Sequence, residues 1–171
     1  MNTPRTCRNY IDGQWIAAQS GQSFESRNPA DWTECVATAP YSAKADVDMA
    51  VSAARRAYQS WRLVPAPVRA EFIQRFGVEL LARKNELASL IGQEMGKTLV
   101  EAQGDVQEGV DCAFYYAGEG RRLFGQTTPS ELGNKWAMTT RVSICVAAVI
   151  TPWNFPVASP CWKALPALVC G

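Results

Sequence analysis

The chain begins with short alternating stretches and then turns helical. Tyr10-Ile11 and Gln14-Trp15-Ile16 flank Asp12-Gly13, a dipeptide suited to a two-residue reverse turn, and predict a β-hairpin. Asn28-Pro29-Ala30-Asp31 marks a turn, and Glu34 to Thr38 reads as another short strand. Ser42 offers a helix cap, followed by Val47, Ala50, Val51, Ala54, Tyr58 and Trp61 at helical spacing. Pro65 and Pro67 separate this from a second helix with Phe72, Phe76 and Leu80 on one face. Leu87, Leu90 and Ile91 predict a third. A long fourth helix is expected from about Leu99 to Leu123, with Val106, Val110, Ala113, Phe114 and Ala117 facing inward and interior glycines as its weak points. Beyond Gly133 the pattern changes. Lys135 to Ser143 reads as an extended arm, Ile144 to Ile150 as a buried strand, and Pro156 to Cys170 as a helix with Pro156 in its first turn.

Composition narrows the class. At 171 residues the chain fits one domain, and 47% hydrophobic against 19% charged residues argues against wholesale disorder. Seventeen basic and sixteen acidic residues leave a net charge of +1, which gives no electrostatic case for nucleic acid or an anionic membrane. The absence of histidine excludes a His general base, a His-containing triad and a His-ligated metal within these residues. None of the six cysteines stands at CxxC spacing, so no metal site is expected. MNTPRTCRNYIDG lacks the apolar run of a secretion signal, and free thiols in the cytoplasm are the expectation. Residues 142–162 carry no charge, yet Pro152, Pro156, Pro160 and Asn154 argue against a membrane span there.

Candidate chemistry concentrates in Ile150-Thr151-Pro152-Trp153-Asn154-Phe155-Pro156, followed by Trp162-Lys163. A side-chain amide fixed at the mouth of a strand is a good donor toward a developing oxyanion. Asn154 could equally close a turn between two prolines, and Trp153, Phe155 and Trp162 could be core aromatics. Lys163 is either a solvated helix residue or, as its uncharged surroundings favour, a partnered one. Gly96-Lys97 lacks a preceding glycine at phosphate-loop spacing and reads as a surface connection between helices. Cys161 reads as a small buried hydrophobe.

Taken in order, Tyr10-Ile11-Asp12-Gly13-Gln14-Trp15, the Asn28-Pro29 turn, Glu94-Met95-Gly96-Lys97-Thr98, TPWNFP and Trp162-Lys163-x-x-Pro166-Ala167-Leu168-x-x-Gly171 resemble the N-terminal part of an aldehyde dehydrogenase over essentially the whole chain. The run EMGKTLVEAQGDVQEG is most similar to the bacterial NAD(P)-dependent aldehyde and semialdehyde dehydrogenases. The resemblance implies an α/β fold, truncated. Residues 1–127 would be the N-terminal part of the cofactor-binding domain, 128–143 part of an oligomerisation arm, and 144–171 the opening strand-loop-helix of a Rossmann-like nucleotide-binding sheet. One strand and one helix cannot form a dinucleotide crevice alone, and exposed apolar surface is expected on that helix.

The activity so implied is oxidation of a small aldehyde to a carboxylic acid with NAD or NADP, by a homo-oligomeric enzyme. A cysteine thiolate attacks the aldehyde, hydride leaves for the nicotinamide, and glutamate-activated water releases the acid. In that scheme Asn154 matches the side-chain donor to the hemiacetal oxygen. Ile150, Thr151, Pro152 and Trp153 would line the cofactor cleft, Phe155 and Trp162 would wall the substrate channel, and Lys163 would sit near a proton relay. The Gly-Gln-x-Cys setting of the nucleophile is not among these residues. It and the glutamate are implied to lie beyond Gly171, so the isolated chain is expected to be inactive. The alternatives are a non-catalytic interaction protein that associates with full-length relatives and, behind it, a minimal enzyme using Cys161. One departure stands out: Cys145 and Ala148 occupy positions where the family pattern, Arg-Glu-Pro-x-Gly-Val-x-Gly, carries glycine. Close backbone approach is in question there.

Overall fold

The computed structural model describes residues 3–171; Met1 and Asn2, part of the stretch read for a secretion signal, lie outside the described residues. Five strands come first: β1 (Arg5–Thr6), β2 (Asn9–Ile11), β3 (Gln14–Ile16), β4 (Ser23–Asn28) and β5 (Asp31–Pro40). Four helices follow: α1 (Lys44–Trp61), α2 (Ala66–Ala82), α3 (Lys84–Met95) and α4 (Leu99–Glu119). A two-residue pair, β6 (Thr127–Thr128) and β7 (Ala137–Met138), precedes α5 (Ala158–Cys170). Strand order in the larger sheet is β1-β5-β4, with β1 parallel and β4 antiparallel to β5.

The expected hairpin is present as β2–β3, with Asn9 opposite Ile16. Asp12 and Gly13 take φ of 54° and 77°, the left-handed pair that a type I′ turn requires. The cap of α1 differs from expectation. Ala43, not Ser42, precedes the helix, and the Asp46 carboxylate accepts from the Ala43 and Gln19 amides at 2.9 Å each. Those bonds hold the Asp46 carboxyl below its ordinary pKa. The Ser42 hydroxyl is engaged elsewhere, with the Asn9 side chain at 2.9 Å.

The core is helical and lies between α2, α3, α4 and α5, around Ile73, Leu80, Ile91, Val106, Val110, Leu165 and Val169. Burying a valine such as Val106 or Val110 contributes roughly 1.5–3 kcal/mol. Helix α2 turns Ile73, Gly77 and Leu80 inward, while Phe72 and Phe76 stay partly exposed and Phe72 packs on Trp61 at 5.8 Å. Small residues set this rotation: a Cβ on Gly77 would lie 2.9 Å from the Ala113 Cβ, so glycine permits the close α2–α4 approach. Helix α4 is shorter than expected and leaves Phe114 partly exposed.

The largest departure lies between β7 and α5. Ile144 to Ile150 forms no strand, and its ends are almost fully exposed, Ile144 at 89% and Ile150 at 87%. A buried strand needs neighbours to satisfy its amides and carbonyls, and among the described residues none lies alongside. The expected arm is likewise reduced to Ala137–Met138 paired with Thr127–Thr128. Helix α5 begins at Ala158, with Pro156 in the preceding turn. Among the described residues no helix is long and apolar enough to cross a membrane.

Candidate functional site: the loop before α5

The site rests on α4. Thr98 caps α4, its hydroxyl and the Glu101 carboxylate forming a capping box, and this fixes the first turns. Asp105, one turn further, stands on the buried face of α4 between Ala102 and Val106. Its Oδ1 accepts a 2.8 Å hydrogen bond from the backbone N–H of Ala158, the first residue of α5. A carboxylate there satisfies one otherwise orphaned amide and complements the positive end of the helix dipole.

The other oxygen of Asp105 is buried without a hydrogen-bond donor and lies 3.6 Å from the Lys97 ammonium. Lys97 follows Gly96, which ends α3 in the left-handed conformation at φ 76°. The lysine side chain is only 14% exposed. Its Nζ donates to the carbonyl oxygen of Asn154 at 2.8 Å and lies 4.2 Å from the centre of the Phe155 ring. Phe155 in turn packs against Trp162 with ring centroids 5.7 Å apart. Gly96-Lys97 is the expected connection between helices, with Gly96 and Thr98 exposed, but the Lys97 side chain turns inward from it. A carboxylate in the apolar stripe of α4 was the signal in the sequence that a partner cation had to be near.

The residues singled out from sequence separate into two groups. Asn154, Phe155 and Trp162 come together around Lys97, while Ile150, Pro152 and Trp153 project outward and Thr151 is half-buried. The Asn154 side-chain amide is exposed and makes no intramolecular hydrogen bond among the described residues, so its donors remain free. Lys163 is exposed and unpaired among the described residues, because α5 turns Cys161 and Leu165 inward and Lys163 away.

Cys161 is buried in the core, as expected of a small hydrophobe. Burial above all, then Cys112 and Asp105, pushes its thiol up to about 11, so it is protonated at neutral pH. Cys145 has φ 83°, a left-handed conformation at the position where the family pattern carries glycine. The loop thus presents a free amide donor on a backbone held from below, with no reactive thiolate beside it.

Residues 15–171 match the model of the aldehyde dehydrogenase family, and the chain belongs to that family. It is 42% identical over 166 residues to the alpha-ketoglutaric semialdehyde dehydrogenase of Bacillus subtilis, covering 97% of this chain and 34% of that protein. Among solved structures it is similar to the NAD-dependent aldehyde dehydrogenase from Sinorhizobium meliloti, with TM-score 0.94 and 29% identity over 98% of this chain and 34% of the other. An NADP-dependent enzyme of E. coli gives TM-score 0.92 and 32% identity, again over 98% and 34%. The chain spans about a third of the length of these relatives, and its fold is the corresponding part of their α/β architecture.

Proposed function

We propose that this chain is the part of an NAD(P)-dependent aldehyde dehydrogenase that supplies the oxyanion donor and one wall of the cofactor cleft. The substrate class is a small aldehyde, and the name of the B. subtilis relative points to a semialdehyde. The observation that carries this reading is the free, exposed Asn154 amide on a loop whose backbone is held at its carbonyl and at the start of α5. When a thiolate adds to an aldehyde carbon, the carbonyl oxygen becomes an alkoxide, and a preorganised N–H there lowers the barrier. Asn154 is the donor in this scheme.

The exposed apolar edges of Ile150, Pro152 and Trp153 suit a flat ring and would hold the nicotinamide side of NAD or NADP. That cofactor, when bound, supplies the hydride acceptor. Phe155 and Trp162 form a joined aromatic wall fitted to a substrate channel. On this reading the nucleophile and the water-activating glutamate come from outside these residues, and Cys161, buried and protonated, does not serve as the nucleophile. On the same reading, residues 1–127 belong to the cofactor domain, 128–143 to an oligomerisation arm and 144–171 to the nucleotide-binding sheet, in a cytoplasmic homo-oligomer.

A second reading, a non-catalytic partner of full-length relatives, is favoured by one observation. An apolar groove of about 810 Å³ lies between Ala54, Tyr58 and Trp61 of α1, the segment 142–149 and the end of α5. Burying it would stabilise an assembly. The two readings separate in a chimera in which these residues replace the matching third of the B. subtilis enzyme. Aldehyde-dependent NAD reduction supports the first. A folded chimera without turnover, together with a native chain that co-elutes with the full-length enzyme, supports the second.

A further inference from the structure

We propose that Lys97 and Asp105 act as a two-ended clamp that fixes where the Asn154 amide sits, which makes both of them positioning residues for the chemistry of this loop. This rests on the reading of Asn154 as the oxyanion donor. The short stretch from Asn154 to Ala158 is held at each end by a different charge. The Lys97 ammonium bonds the carbonyl of Asn154 at 2.8 Å, and the Asp105 carboxylate bonds the amide of Ala158 at 2.8 Å. The two holders lie 3.6 Å apart, so displacing one charge disturbs the other.

Their surroundings make the clamp stiff. Asp105 is 1% exposed on a capped helix, and Lys97 is confined between that carboxylate and the Phe155 ring. A pair serving only to neutralise charge in the core would not need to reach the loop. Here the ammonium meets the loop twice, at the Asn154 carbonyl and over Phe155. An oxyanion donor is effective only if it is already in place when charge develops, and a loop residue depends on such outside supports for that.

Backbone 15N relaxation and amide hydrogen exchange on the labelled chain test this without turnover. In Lys97→Met the order parameters of Asn154 and Phe155 should fall from about 0.85 to below about 0.6. The Ala158 amide should exchange at least ~10-fold faster than the loss of global stability alone accounts for, with the core amides of Val106 and Val110 reporting that global factor. Lys97→Arg, which keeps a cation over Phe155, should restore order at Asn154. In Lys97→Met with Asp105→Asn, the new amide oxygen still accepts from Ala158, so protection should return there while Asn154 stays mobile.

A rigid Asn154 in both Met variants overturns the clamp. So does global loss of protection in both, because the pair would then be a core element rather than a loop support. None of these readouts involves catalysis, so a failed clamp leaves the donor role of Asn154 standing. Conversely, an intact clamp beside a catalytically silent Asn154 would remove the donor role alone.

Discussion

The ammonium of Lys97 lies 2.8 Å from the main-chain oxygen of Asn154, 57 positions further along the chain. It is the same ammonium that faces buried Asp105, so the loop and the core share one cation. Removing it leaves a desolvated carboxylate alone. Lys97→Met should therefore cost about 3–5 kcal/mol in urea unfolding, and adding Asp105→Asn should recover most of the loss. A loss below about 1 kcal/mol would mean that water takes over the role of the ammonium.

Cys145 offers the opposite case, a stabilising change. Its φ of 83° is costly for a residue with a Cβ, by about 1–2 kcal/mol, and glycine removes that cost. Part of the gain is lost to the greater freedom of glycine in the unfolded chain. Cys145→Gly should raise stability by roughly 1 kcal/mol, read as a shift in the denaturation midpoint. A destabilised variant would show that the thiol makes contacts that outweigh the strain.

These two residues also mark how far the sequence was informative. Cys145 stood out only as a departure from the family pattern and was read as a question of close approach; its left-handed φ came from the structure. The hairpin at Asp12-Gly13 and the helices were legible because turn chemistry and periodicity are local. The inward role of the Lys97 side chain was not legible because Asn154 is 57 positions away and meets it only once α5 packs on α4. The 144–150 segment forms no strand here because apolar runs report a preference for burial, whereas a strand also needs neighbours, and none lies alongside among the described residues. Phe72, Phe76 and Leu80 were placed on one face by spacing, yet of the three only Leu80 is buried, because Gly77 and Ala113 let α2 and α4 approach closely.

Two glycines of α4 should respond in opposite directions. Gly104 has open space where a Cβ would go, so Gly104→Ala should stabilise by about 0.5–1 kcal/mol through helix propensity. Gly109 faces Leu80, Val157 and Cys161, each 3.1–3.2 Å from an added Cβ. Gly109→Val should cost about 1–3 kcal/mol by forcing α5 away from α4. Thermal denaturation of both variants decides it; equal effects would contradict the packing described.

Cys161 predicts a pH dependence. Its thiol is pushed up to about 11 in the folded chain, above an ordinary thiol near ~8.5. The folded state therefore favours the neutral form. The associated stability is complete below the ordinary thiol range and is lost as pH rises toward about 11. Alkylation of Cys161 at pH 8 should run at least ~100-fold slower than that of a free thiol, judged by mass spectrometry of the modified peptide. Rapid modification of the folded protein would contradict its place in the core.

The central claim is that Asn154 stabilises an oxyanion. It is tested most directly in the chimera carrying these residues on the remainder of the B. subtilis enzyme, by comparing Asn154→Ala with the parent chimera. A transition-state donor predicts a kcat lower by about 10²–10³, with KM for the aldehyde changed far less. An unchanged kcat in a folded, cofactor-binding chimera would contradict the account.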